Sequence, residues 1–224
     1  MKKVFFIAFV LLCQLSIAQD VTQKLGDFRA VRVFDQIEVL IVKSNENRIE
    51  IKGSRAQDVE VVQKSDELKI RMKFTKLLQG EDVSVTLYCN KDLERVEASE
   101  GAYVSSEDTF KAVAFEINAK EAAHIKLNLQ AGRLKSKVSS GAEVIVNGKA
   151  DNHTAKVNSG GSLKAQELVT TQTEINISAG GEASVYATEF ADAKTTAGGT
   201  INIYGNPEQV NKKTVIGGNI NIIK

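Results

Sequence analysis

Apolar and polar residues alternate along most of the chain, in two regions that differ in their longer rhythm. In residues 34–43 (FDQIEVLIVK), Ile37, Val39 and Ile41 share one face. A polar turn follows at Ser44 to Asn47, and residues 48–52 (RIEIK) return. Residues 58–64 (DVEVVQK) and 67–74 (ELKIRMKF) flank a turn at Ser65-Asp66, and 83–88 and 93–98 are further alternating runs. A period of two broken by polar turns predicts antiparallel hairpins with one wet face.

Beyond residue 98 a longer repeat overlays the alternation. Small-residue pairs recur at Gly101-Ala102, Ala122-Ala123, Gly141-Ala142, Gly160-Gly161, Gly180-Gly181, Gly198-Gly199 and Gly217-Gly218. Measured at the second member, successive pairs lie 21, 19, 19, 20, 18 and 19 residues apart. Two positions past each pair stand Val104, Ile125, Val144, Leu163, Ala183, Ile201 and Ile220, while the third position carries Lys126, Lys164, Ser184, Asn202 and Asn221. Even offsets therefore point inward and odd offsets outward.

A long period of this kind predicts a solenoid. At roughly 3.3 Å per residue one repeat spans about 60 Å, enough to run once round a small prism, and coils stack about 4.8 Å apart. The small pairs mark the corner where the chain bends, so a Leu at Gly160 or Gly180 is expected to be severely destabilising. The expected fold is all-β: a right-handed parallel β-helix of about 19 residues per coil, preceded by antiparallel hairpins packed on its N-terminal end. The right hand is the commoner one for large solenoids. The expected division is a signal peptide at 1–18, an N-terminal antiparallel β region at 19–98 and solenoid repeats at 99–224.

Glycine usage follows the same division, with three in residues 19–98 and thirteen in 99–224. Residues 1–18 (MKKVFFIAFVLLCQLSIA) have a basic start, a short apolar run and a small-residue end, the pattern of a secretory signal cleaved before Gln19. No transmembrane segment is expected after cleavage, so the chain is expected to be exported across the inner membrane to a periplasmic, outer-membrane-associated or secreted location. Cleavage leaves 27 basic against 28 acidic residues and one cysteine, Cys89. That balance argues against a nucleic-acid partner. Cys89, in the apolar run VSVTLYC, is expected to be a buried small hydrophobe.

The closing coils read Gly198-Gly199-Thr200-Ile201-Asn202-Ile203 and Gly217-Gly218-Asn219-Ile220-Asn221-Ile222. With the opening FDQIEVLIV…RIEIKG and the junction LERVEASEGA, this pattern resembles the putative auto-transporter adhesin head GIN domain family, over roughly residues 30–224. The resemblance implies a surface-facing β-solenoid with an adhesin-like role and supplies no catalytic residues. A chain closing at Ile223-Lys224 is expected to carry no translocating membrane barrel.

Acids, histidines and stacked outward columns are the positions that could carry chemistry on such a scaffold. Glu107, Asp108, Glu143, Asp151, Glu182 and Asp192 are candidate exposed acids, and no acids are expected to stack on adjacent coils. His124 is expected to face outward and His153 to lie in a turn, neither with metal-ligand spacing. No catalytic, metal or cofactor site is therefore expected. Five positions past the small pair lie Glu107, Asn128, Asn147, Gln166, Tyr186, Tyr204 and Ile223. Amides beside aromatic faces suit sugar recognition, which makes Tyr186, Tyr204, Asn147 and Gln166 the candidate ligand residues; a stiffening side-chain ladder is the alternative. Asn202 and Asn221 share an offset and are expected to form an amide ladder. The last coil, NINIIK, would expose an unpaired edge and invites a homo-oligomer. The expected function is an exported, non-enzymatic module for adhesion or for binding a glycan or other cell-surface component. The alternatives are a carbohydrate-active β-helix enzyme and a structural envelope protein assembling through coil ends.

Overall fold

The computed structural model describes residues 20–224. The expected signal peptide, with Cys13, lies outside the described residues. The chain forms an all-β solenoid of about seven turns, each about 19 residues long. Its regular part begins with β9 (Tyr103–Ala119), β10 (His124–Val138) and β11 (Glu143–Asn158). It continues through β12 (Ser162–Ala165), β13 (Leu168–Ser178), β14 (Glu182–Tyr186) and β15 (Phe190–Ala197). β16 (Thr200–Tyr204), β17 (Gln209–Ile216) and β18 (Asn219–Ile222) complete it.

Every pairing among these strands is parallel, and the registers reproduce the repeat. His124 lies over Glu143, Ala183 over Ile201, and Ile201 over Ile220. Alternation along each strand sends Ile125, Leu127, Val144, Val146, Leu163 and Val185 into one continuous dry core. Stacking at one coil spacing pairs each strand's backbone groups with the coils above and below, which is why the repeat is stable only as an array.

The corners follow from backbone angles. Gly160 and Gly180 have φ of +75° and +76°, and a Cβ there would meet nothing within 4 Å. Ala122 stands at the same corner with φ +58°. The backbone angle expected to oppose a Leu at Gly160 or Gly180 is there, and since no clash adds to it the cost is that of left-handed strain, about 1 kcal/mol, not a severe one. The tight positions are the second members. A Cβ on Gly199 would come within 2.6 Å of Ile177 Cγ2, and one on Gly161 within 2.8 Å of the Val138 carbonyl oxygen.

The N-terminal region contains β1 (Val21–Lys24), β2 (Ala30–Val33), β3 (Glu38–Lys43) and β4 (Arg48–Lys52). Then come β5 (Val59–Lys64), β6 (Glu67–Met72), β7 (Ser84–Cys89) and β8 (Arg95–Ala98). The hairpin at Ser65-Asp66 forms, with β5 antiparallel to β6. The hairpin expected over residues 34–52 does not, because β7 lies between β3 and β4. β2 sits between β6 and β8, and β3 between β7 and β9, all four pairings parallel. The segment β2–β3 is thus itself a coil, inserted between the coil of β6–β7 and the coil of β8–β9. Antiparallel β4, β5 and β1 close this end of the stack. Period-two alternation fixes which face of a strand is dry and leaves its partner open, so local sequence could not distinguish a neighbour in space from a neighbour in chain.

Candidate functional site

The inward alternation of β9, β10 and β11 slips by one residue midway, between 112 and 115, 131 and 134, and 150 and 153, which marks a bend in the strands, and a groove lies there across four successive coils. Its floor is one inward column of small residues, Ala112, Ala131, Ala150 and Thr170, in direct register. Small side chains let solvent reach the backbone here, so Ala131 and Ala150 keep a trace of exposure on an otherwise dry side. One flank is the column Lys111, Gln130, Lys149, Val169. The other flank carries Val113, which is 80% exposed, then Gly132, Asp151 and Thr171. A Cβ on Gly132 would stand 2.9 Å from the Val113 carbonyl oxygen, so glycine permits the strands to close up at the bend. The groove has a volume of about 720 Å³ and ends at Thr188. Thr188 fixes that end: its backbone N–H donates to the Thr170 carbonyl at 2.9 Å and its hydroxyl at 3.2 Å. The buried Thr170 hydroxyl in turn bonds Thr173 Oγ1 at 2.7 Å and the Tyr186 carbonyl.

The residues expected to bind ligand lie elsewhere. Tyr186 and Tyr204 are register partners on adjacent coils. The Tyr186 ring lies against the backbone of the next coil, since a Cβ on Gly205 would fall 2.4 Å from its Cε1. Asn147 Nδ2 donates to Asn128 Oδ1 at 3.3 Å, and Asn128 Nδ2 to the Glu107 carbonyl at 3.1 Å. Gln166 Oε1 is buried without a hydrogen-bond partner. Asn221 Nδ2 donates to Asn202 Oδ1 at 3.0 Å. Coil-to-coil contacts thus engage most of this outward column, whereas the groove flanks face solvent.

His153 departs from expectation. It lies inside β11, 1% exposed, with Nε2 3.0 Å from the Ser136 hydroxyl and Nδ1 without a partner. Burial lowers its pKa to about 4, so the ring is neutral at physiological pH. His124 is exposed, its Nδ1 3.9 Å from Glu143. Burial pushes the Cys89 thiol up to about 11, which leaves it protonated and inert.

Among the acids, Asp108 accepts from the Lys43 backbone N–H at 2.8 Å, Glu143 pairs with Lys164 at 2.5 Å, and Glu107 with Lys126 at 3.3 Å. Asp151 lines the groove. Contrary to expectation, two acids do stack on adjacent coils: Glu174 lies over Asp192. They share a shallow hollow of about 170 Å³ with Gln172 and Phe190. In-register parallel neighbours point the same way from one wall, whereas glycoside hydrolysis needs carboxyls flanking the bond. Among the described residues no group of three or more His, Cys, Asp or Glu could hold a metal ion, and no helix is long and apolar enough to cross a membrane.

Solved structures share the fold. The crystal structure of a putative adhesin from Bacteroides fragilis superposes with a TM-score of 0.85 at 17% identity, over 93% of this chain and 98% of the other. A putative adhesin from Parabacteroides merdae gives 0.73 at 20% identity, covering 92% and 96%. A putative lipid binding protein from Parabacteroides distasonis gives 0.68 at 20%, with the same coverage. No curated protein matches the chain. Residues 27–207 match the family described as putative auto-transporter adhesin, head GIN domain, and the chain belongs to that family.

Proposed function

We propose that the protein is an exported, non-enzymatic adhesion module that holds a cell-surface glycan along the groove of β9, β10, β11 and β13. The family supports an adhesion-type surface role. The observation that carries the glycan reading is the groove itself. Its small-residue floor lets a ring approach the backbone, Gln130, Asp151 and Thr171 offer hydroxyl partners, and Val113 and Val169 give apolar contact. Its axis runs across the coils, so an extended polymer meets an equivalent set of positions at each coil step. On a glycan array, wild type should bind and Gln130→Trp, which fills the groove from an exposed position, should not. Tyr186→Ala and Tyr204→Ala should leave binding unchanged. Loss of binding through the tyrosines alone, or turnover of any bound polysaccharide, would reject this reading.

A second reading, assembly through coil ends, is favoured by the last coil. Ile216 is 71% and Val215 53% exposed on β17, beside the open edge of β18, while β1, β4 and β5 close the opposite end. The occupant is a second copy: its own last coil presents the same two strand edges side by side, which a single added strand cannot match. Sedimentation velocity should show a concentration-dependent dimer that Ile216→Lys abolishes. A monomer at every concentration excludes it.

A further inference from the structure

The flank of the groove carries its charges at a particular spacing. Lys111 pairs in register with Gln130, and Gln130 with Lys149, so two ammonium groups stand two coils apart with an amide between them. Two coil spacings place the lysine stems about 10 Å apart. The column then ends in Val169, so the charge stops there. Neither lysine is consumed by the fold. Lys149 forms no ion pair among the described residues. The carboxylate beside Lys111, Asp92, is already held by Lys43 Nζ at 2.5 Å and by the Lys111 backbone N–H at 2.9 Å. Elsewhere on the solenoid three lysines are paired with the neighbouring coil: Lys126–Glu107, Lys137–Glu116 and Lys164–Glu143. Lys135, Lys156 and Lys194 also form no ion pair among the described residues, so what sets the groove lysines apart is their place on one flank, two coils apart with Gln130 between.

The opposite flank completes the pattern. Val113 and Gly132 stand opposite Lys111 and Gln130, and neither adds charge. Asp151 stands two positions from Lys149 in the same strand, where it can accept from sugar hydroxyls. An extended pyranose chain advances by about one coil spacing per sugar. A chain laid along the groove would then set one sugar at each coil, with alternate sugars beside a lysine.

We propose that the groove selects an acidic polysaccharide bearing one anionic group on every second sugar. This deepens the glycan reading above and rests on it. The anionic sugars sit at Lys111 and Lys149. The neutral sugar between them sits at Gln130, where the missing side chain of Gly132 gives it room.

The test uses three octasaccharides against the mature protein in titration calorimetry. The first alternates glucuronate and N-acetylglucosamine. The second is the same chain with its carboxyls reduced to alcohols, and the third is a galacturonate homopolymer charged on every sugar. The alternating chain should bind best, more weakly as salt rises. Lys111→Gln and Lys149→Gln should each weaken it about tenfold, the scale of one charge-assisted hydrogen bond at a wet site. Both positions are exposed, so circular dichroism and melting should be unchanged. Equal binding of the reduced chain overturns the inference and leaves the glycan reading standing. Tighter binding of the homopolymer overturns the spacing. Binding that survives both lysine changes rejects the groove as the acidic site, and no binding of any of the three chains overturns the acidic-polysaccharide inference while the glycan array decides the reading beneath it.

Discussion

The two ends of the solenoid are built from the same kind of coil and held by different means. From β9 onward each coil follows its predecessor in sequence and touches little beyond its neighbours, so stability there is a sum of similar increments. In residues 30–98 the coils are stacked out of sequence order, with β2–β3 between elements that come much later in the chain. The side chains differ accordingly. Arg32 bridges Glu67 at 3.3 Å and Glu97 at 3.1 Å, across β6, β2 and β8, and Arg95 also pairs with Glu67. The Arg32 guanidinium and Lys69 ammonium sit over the Phe34 ring at 5.3 and 4.7 Å. Charge pairs that differ at each level specify one order of stacking, whereas an amide ladder is indifferent to which coil comes next. An interleaved end must form as a unit; a repetitive end can fray coil by coil.

The largest expected effect belongs to the interleaved end. Asp35 is buried with φ +61°, and its carboxylate accepts from the backbone N–H groups of Met72 at 3.0 Å and Leu78 at 3.1 Å. Its carbonyl accepts from Gly80 at 3.0 Å. One residue of the inserted coil thus clasps the β6–β7 connection. Asp35→Ala strands the buried Met72 donor and a partly exposed one at Leu78 and should cost about 4 kcal/mol in urea denaturation, the upper end for one buried and one half-exposed unsatisfied group. Because β3 also pairs with β9, the loss should appear in one transition for the whole chain. A separate early transition confined to residues 30–98 would break the comparison.

His153 gives the repetitive end its own pH signature. Its folded pKa is about 4 against 6.5 unfolded, so between these values the unfolded chain binds the extra proton. Stability is full above about pH 6.5, falls on acidification and is lower by about 3 kcal/mol below pH 4. At the other end Glu100 has the opposite sign. Burial, with Asp35 and Glu121 beside it, raises its pKa, so its contribution is present in acid and is lost as pH rises through the raised value. The double change His153→Leu with Ser136→Ala should flatten the acid limb in denaturant titrations between pH 4 and 6.5. An unchanged limb would remove His153 as its cause.

The repeat was legible because the corner and the first strand of every coil keep a fixed distance, from Val104 through Ile220. The groove was not, because the distance from corner to bend drifts. Ala112 lies ten residues past its small pair, Ala131 and Ala150 eight, and Thr170 nine. The irregularity at Lys126/Asn128 in the pairing of β9 with β10 absorbs the two extra residues of the first coil. Fixed offsets therefore scatter a column that is straight in space. The same drift hid the stacking of Glu174 on Asp192 and the inward column of Leu134, His153 and Thr173. At the N-terminal end the strands themselves were legible and their order was not, since nothing in β3 or β4 announces that β7 will separate them.

The corner glycines sharpen the contrast within a single coil. Gly160→Ala and Gly180→Ala enter open space and carry only the strain of a left-handed backbone, about 1 kcal/mol. Gly199→Ala adds a clash at 2.6 Å with Ile177 and should exceed both in thermal melts. Equal costs at the two kinds of corner position would mean that neighbouring coils give way more easily than their packing implies.

The smallest effect is the most diagnostic of independence between coils. Asn202 accepts from Asn221 at 3.0 Å and its own amide lies 3.5 Å from Glu182, all three groups reaching water. Water replaces most of what Asn202→Ala removes, so the change should cost about 0.5 kcal/mol, the low end for a net hydrogen bond. Global melting should scarcely move. Native-state hydrogen exchange should instead quicken in β18 and the facing edge of β16 while β9 to β11 keep their protection. If exchange quickened equally in β9, at the far end of the repetitive stack, the coils would be cooperating far beyond their neighbours, and the distinction between a sewn end and a laddered end would fail.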